Sequence, residues 1–328
     1  MREAAFVKQN QAKWRRLEEV LVHRDRSMKP DELSSLYIDL TDDLSYARTF
    51  YPGAQVTAYL NTLAGRLHQH IYKNQRTHAR RFLTFWSREL PLVMARTRPQ
   101  LGIAALLFLA AVTLGALSTR HDPLFARFML GDGYVDMTLE NIKAGKPMDV
   151  YGHTPETDMF FYIAWNNIKV SLRAFAFGLL LSYGTWLVLV VEGLRLGAFQ
   201  YFMYQEGVLR ESVLAVWLHG TIEISSIVIA GAAGIVMGNG ILFPGTYTRL
   251  ASFGRSARMG LKMVIGLVPC FILAAFIESF VTRHSSEMPT WLSVGIIGAS
   301  LALIIGYFLI LPFHVERSDR LHPAPPAT

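Results

Sequence analysis

A histidine and a glutamate four residues apart, His219 and Glu223, stand inside a long apolar stretch that begins at Glu211 and reads ESVLAVWLHGTIEISSIVIAGAAGIVMGN. On a helix that spacing puts both on one face. Glu223 lies about twelve residues in, roughly 18 Å along the axis at ~1.5 Å per residue. An ionisable group so deep in a membrane costs on the order of 3 kcal/mol, so it must face a bundle interior or a water pocket. Two chemistries fit. The pair can titrate or bind a cation on a transport path, or it can be a hydrogen-bonded lock between helices, and both readings stay open.

Other polar residues sit at the edges of apolar stretches. Asn166 and Asn167, with Lys169 and Arg173, stand in the mouth of the second one, where they could satisfy a broken helix or meet a ligand. Glu278 is near the end of a later stretch, five residues before Arg283, and is placed to pair with it at the interface. Gly220 would let another backbone approach beside the His-Glu pair. Ala230, Gly234 and Gly238 form a small-residue stripe at intervals of four, a packing device in lipid.

Enzymatic motifs are missing. A zinc protease needs H-E-x-x-H, whereas His219 has its glutamate at i+4 and no second histidine nearby, which gives two metal ligands at most. Neither a G-x-S-x-G elbow nor a G-x-x-x-x-G-K-[ST] phosphate loop occurs. The expectation is a protein that is not an enzyme and that needs no cofactor and no metal. The single cysteine, Cys270, excludes a disulfide framework.

The elements that must position these residues follow from composition. Of 328 residues, 52% are hydrophobic and 17% charged, against about a quarter charged in soluble domains. The apolar residues concentrate in runs at 101–118, 174–191, 213–237, 263–281 and 291–313, each near the ~20 residues that a spanning helix requires. The fold class is therefore an all-α, polytopic membrane protein. Residues 1–98 hold the whole excess of positive charge, +7, and their bases thicken toward the first run in Lys73, Arg76, Arg80, Arg81, Arg88, Arg96 and Arg98. The positive-inside rule places a cytoplasmic flank there, facing anionic lipid; acids such as Asp39, Asp42 and Asp43 interrupt the bases, and no nucleic-acid motif accompanies them.

Five spans leave a conflict. With the N-terminus inside, 238–262, which carries Arg249, Arg255, Arg258 and Lys262 and no acid, would lie outside, as would Arg317 and Arg320. One more passage repairs both. The expected candidate is 193–204 (GLRLGAFQYFMY), as a short or re-entrant half-helix. The domains are then a cytoplasmic helical domain at 1–98, a membrane domain at 99–314 with an external loop at 119–158, and a disordered tail at 315–328. Within the first, Leu33, Leu36, Tyr37, Leu40 and Leu44, then Tyr59, Leu60, Leu63, Leu67, Ile71 and Tyr72, repeat at helical spacing around a turn at Tyr51-Pro52-Gly53, with Asp31 as an N-cap. Residues 79–96 mix Phe82, Phe85, Trp86 and Leu90 with arginines, as an interfacial amphipathic helix does.

The segments W-L-H-G-T-I-E-I (217–224), G-A-F-Q-Y-F (197–202) and L-F-P-G-T-Y (242–247) resemble the stage II sporulation protein M family, and 31–52 resembles its longer members. His219, Gly220 and Glu223 carry its H-G-x-x-E element. The resemblance implies a multi-pass bacterial inner-membrane protein similar in role to a scaffold for peptidoglycan-remodelling partners. It also implies a cytoplasmic partner for 1–98, of the MoxR-type ATPase kind. The external loop is expected to meet envelope proteins, and the small-residue stripe suits a homodimer. The alternative is a channel or transporter in which Glu223 binds a cation, tuned by His219 and lined by Asn167.

Overall fold

The computed structural model describes residues 2–23, 30–73, 82–148 and 155–321, and every regular element among them is helical. The chain forms two compact units, Met1–Leu83 and Thr84–Thr328.

In the first unit, α1 (Glu3–His23), α2 (Pro30–Phe50) and α3 (Gln55–Lys73) bury one apolar stripe each. Leu17, Leu40, Leu60 and Leu67 are fully enclosed, with Phe6, Trp14, Leu44 and Leu63 around them. Trp14 keeps its polar end satisfied by donating from Nε1 to Asp43, 2.9 Å away, and Lys13 pairs with the same carboxylate at 2.6 Å. Gly53, with φ of 86°, makes the expected turn. Because α2 starts at Pro30, Asp31 lies inside the first turn and is not the cap. The side chains of Leu33, Ile71, Tyr72 and Lys73, and residues Arg76, Arg80 and Arg81, lie outside the described residues.

The second unit opens with a π-helical turn, Phe85–Glu89, and α4 (Leu90–Arg96). Leu90, Val93 and Met94 of this segment are buried in the bundle, and Leu90 seats against Gly266. Residues 84–98 thus belong with the bundle. There follow α5 (Arg98–His121), α6 (Leu124–Leu130), α7 (Asp132–Lys143), α8 (Glu156–Ala176), α9 (Tyr183–Gln205), α10 (Leu209–Leu242), α11 (Arg249–Phe276), α12 (Thr290–Ile304) and α13 (Leu311–Leu321). Residues 315–321, expected as disordered tail, continue α13, where Glu316 pairs with Arg98 and Asp319 with Arg88.

Five segments are long and apolar enough to cross a membrane: Arg98–His121, Tyr183–Gln205, Leu209–Leu242, Arg249–His284 and Thr290–Asp319. The expected second span at 174–191 does not exist as one helix. The chain breaks after α8 through a 3-10 turn, Phe177–Leu179, with Leu181 and Ser182 at φ of 53° and 66°. Two successive non-glycine residues in that region are costly. The break is held by the Ser182 hydroxyl donating to the Ile235 carbonyl (3.3 Å) and that of Thr185 donating to the Ala174 carbonyl (2.7 Å). Residues 193–204 are accordingly not a half-helix but the second half of the continuous α9.

α8 is a sixth long helix of the bundle. Its Gly178 end abuts Gly234 and its Asn167 faces Glu223, so α8 runs parallel to α10 for about 31 Å. Glu156, Asp158, Lys169 and Arg173 keep it below the apolarity of a span, while Phe161, Tyr162 and Trp165 cover its outer face. In α9, Thr185 and Leu189 meet Gly234 and Gly231, so that helix runs antiparallel to α10. With α11 descending from Ser256 beside Gly240 to Thr282 beside His219, six passages leave the start of α5 and the end of α13 at one end.

The small-residue stripe works as packing. A Cβ on Gly238 would overlap Ser182, and one on Gly234 would press on Thr185 and the Ala174 carbonyl; Ala230 is wholly buried. Gly220 differs, because a Cβ there would meet only Ile224, at 3.5 Å, and Val216 of its own helix, so no backbone approaches it. Gly234→Ala is expected to cost about 1–3 kcal/mol by overpacking, whereas Gly220→Ala is neutral or gains up to ~1 kcal/mol of helix propensity. Unfolding temperatures of the two variants in one detergent check this contrast.

Burial, with Glu18 beside it, pushes the Tyr59 phenol from 10 up to about 12. The folded first unit therefore holds this proton more tightly than the unfolded chain. Its contribution is intact below pH 10 and is lost as the pH rises through about 12. Denaturant unfolding of the first unit across that window should show the decline, and Tyr59→Phe should flatten it.

Candidate functional site

α10 carries His219 and Glu223 into the middle of the second unit, with α5, α8, α9, α11 and α12 all packed on it. The partner of this pair comes from the end of α11. There the helix widens into a π turn, Ile277–Val281, followed by a 3-10 turn, Thr282–His284. A π turn resets which side chains face inward, and here it presents both Glu278 and Thr282 to His219. Nδ1 of His219 lies 3.1 Å from the Thr282 hydroxyl, and Nε2 lies 3.8 Å from Oε1 of Glu278. One donor atom from each of His219, Glu223 and Glu278 falls within 4.8 Å of the others.

The proton on the imidazole follows from the neighbours. The Thr282 hydroxyl donates its one hydrogen to the Ile277 carbonyl, 3.3 Å away, and so accepts from Nδ1–H of His219. Nε2 then carries the lone pair, with Oε1 of Glu278 3.8 Å from it.

Asn167, 4% exposed on α8, faces Glu223, and its Nδ2 is buried with no hydrogen-bond partner. Asn166 is exposed, about 100° round α8 from Asn167, and takes no part. Both lie in the middle of α8, not at the mouth of a span. Glu278 does not pair with Arg283, which is bound to Glu156 at 3.1 Å.

Glu223 also borders a cavity of about 410 Å³ that opens between α5, α7, α9 and α10, lined by Phe108, Tyr134, Glu192, Arg195 and Phe199 among others. Glu192 and Arg195 pair at 3.3 Å along α9. Burial holds the Tyr134 phenol above its usual value of 10, against the opposing hydrogen bond of Thr138, so it stays neutral. Beyond Glu223 the cavity stops, because Gly231 and Gly234 are closed over by Leu189, Thr185 and Ala174.

A family model described as stage II sporulation protein M matches residues 104–283, more than half of the chain and all of the site. The chain belongs to the stage II sporulation protein M family. A second model, a domain of unknown function (DUF8413), matches residues 4–73. No curated protein and no solved structure matches the chain. With the five apolar helices, family membership makes this a multi-pass membrane protein.

In this stage II sporulation protein M family member, the H-G-x-x-E element supplies two residues of the trio, and the fold adds Glu278. Sequence reasoning missed Thr282, Glu192 and Arg195. The last two were signalled in the same way as Glu223, by charge within an apolar run; Thr282 carried no signal. Thr282→Val leaves Nδ1–H of His219 buried without an acceptor and should lower stability by about 1–3 kcal/mol, while Thr282→Ser keeps the bond. Thermal unfolding of the detergent-solubilised variants reads the difference.

Proposed function

We propose that this family member is a non-enzymatic assembly protein of the bacterial inner membrane. The observation that carries the reading is the closed packing of α10 beyond Glu223, where Gly234 and Gly238 touch α8, the turn after it, and α9. A bundle sealed there suits a fixed platform. The first unit, with its own core, is the module offered to a cytoplasmic partner, by resemblance one of the MoxR-type ATPase kind. On the other side of the membrane, Leu124 and Phe128, 68% and 83% exposed, present an apolar surface to envelope proteins. Peptidoglycan-remodelling partners follow from the family resemblance, and self-association as a homodimer is compatible with it.

Orientation follows from charge. The end where α5 starts and α13 stops carries Arg88, Arg96, Arg98, Arg249, Arg255, Arg258, Lys262 and Arg317 against Glu89, Glu316 and Asp319. The positive-inside rule supports reading that end, and the N-terminus with it, as cytoplasmic.

A channel or transporter is the second reading, and the cavity reaching Glu223 is the observation in its favour. Purification in mild detergent from native membranes, comparing the full chain with one lacking residues 1–83, separates the two. Stoichiometric partners that disappear with the truncation are expected. A protein that purifies alone, and that gives proteoliposomes a flux abolished by Glu223→Gln, would replace the assembly reading with transport.

A further inference from the structure

We propose that His219, Glu223 and Glu278 bind one divalent transition-metal ion, clamping the end of α11 to the middle of α10. The donor set is one imidazole nitrogen and two carboxylates, all within 4.8 Å of one another. Two ligands on a tetrahedral metal with bonds of about 2.0–2.2 Å stand about 3.3–3.6 Å apart. The Nε2 to Oε1 separation of 3.8 Å is too long for a hydrogen bond and within a small side-chain rotation of that spacing.

The tautomer fits as well. Thr282 takes Nδ1–H and so leaves the Nε2 lone pair on the side of Oε1 of Glu278, 3.8 Å away, two acceptors between which a cation is favoured. A hydrogen-bonded Nδ1 behind a ligating Nε2 is the usual outer support of a metal-bound histidine. Charge agrees, since a neutral imidazole and two carboxylates match a single divalent ion, which would relieve the burial of two anions in the bundle. Asn167 is a further observation pointing to a ligand. It is 4% exposed, and its amide sits against the Glu223 carboxylate at the edge of the trio. Rotation of that amide would offer its oxygen to the ion or its N–H to a ligating carboxylate. The imidazole selects zinc-class ions over calcium or magnesium. The cavity bordered by Glu223 gives an ion a way in.

This inference is independent of the assembly reading, since it concerns the purified chain alone. The full-length protein is extracted without chelator, loaded with Zn2+, freed of unbound ion, and analysed for metal by mass spectrometry. About one zinc per chain is expected. His219→Ala and Glu278→Gln should fall to the level of the buffer, while exposed His284→Ala and Glu287→Gln keep the metal. Thr282→Val should retain the site with affinity lowered about 10–100-fold. Should the ligand variants fail to fold, titration of the wild-type chain with Co2+ decides. Visible bands of a four- or five-coordinate ion that saturate near one equivalent and are displaced by Zn2+ support the site. Zinc at background with a featureless Co2+ spectrum would overturn it, as would full binding in both folded ligand variants.

Discussion

α10 has almost no side left for lipid. From Ile229 to Gly240 nearly every residue is buried, and helices pack against it on all sides. Lipid tails are as apolar as leucine, so close association of these helices draws on van der Waals contact and hydrogen bonds between them more than on the hydrophobic effect. Backbones must therefore come close, and glycine is what lets them. Gly231, Gly234, Gly238 and Gly240 set the distances to α9, α8, the turn at 177–182 and α11. The same enclosure is what makes His219 and Glu223 affordable, because a helix surrounded by protein can keep charged groups away from acyl chains.

Two departures from regular helix place the polar centre. The break at 177–182 converts a continuous apolar run into a hairpin, so α8 returns along α10 and brings Asn167 to Glu223. The π turn at Ile277–Val281 then rotates Glu278 and Thr282 toward His219. Neither departure is local in origin. Leu181 and Ser182 are held in an unfavourable conformation by the Ser182 hydrogen bond to α10, by the Thr185 hydrogen bond back to the end of α8, and by the close seat of Gly178 on Gly234.

The cavity and the sealed stripe give the bundle two unlike halves. Near the end bearing α6 and α7, space remains beside Glu192, Arg195 and Glu223. Toward the basic end, the helices are in backbone contact. The first unit adds a separate core whose tryptophan is tied to Asp43, so it is built to hold its shape by itself.

The sequence alone established the class, the five apolar runs, the small-residue stripe and the first unit's stripes, because apolar periodicity and glycine spacing are local properties. It did not place α8 in the bundle. Residues 174–191 read as one span because nothing in AFAFGLLLSYGTWLVLVV is a strong helix breaker, and α8 was passed over because its lysine, arginine and asparagines lower its hydropathy. Of the site, His219 and Glu223 were legible from their i, i+4 spacing on one helix. Their union with Glu278, Thr282 and Asn167 was decided only by tertiary structure, since it joins residues more than 50 positions apart through a π turn and a hairpin that exist only once the helices have packed.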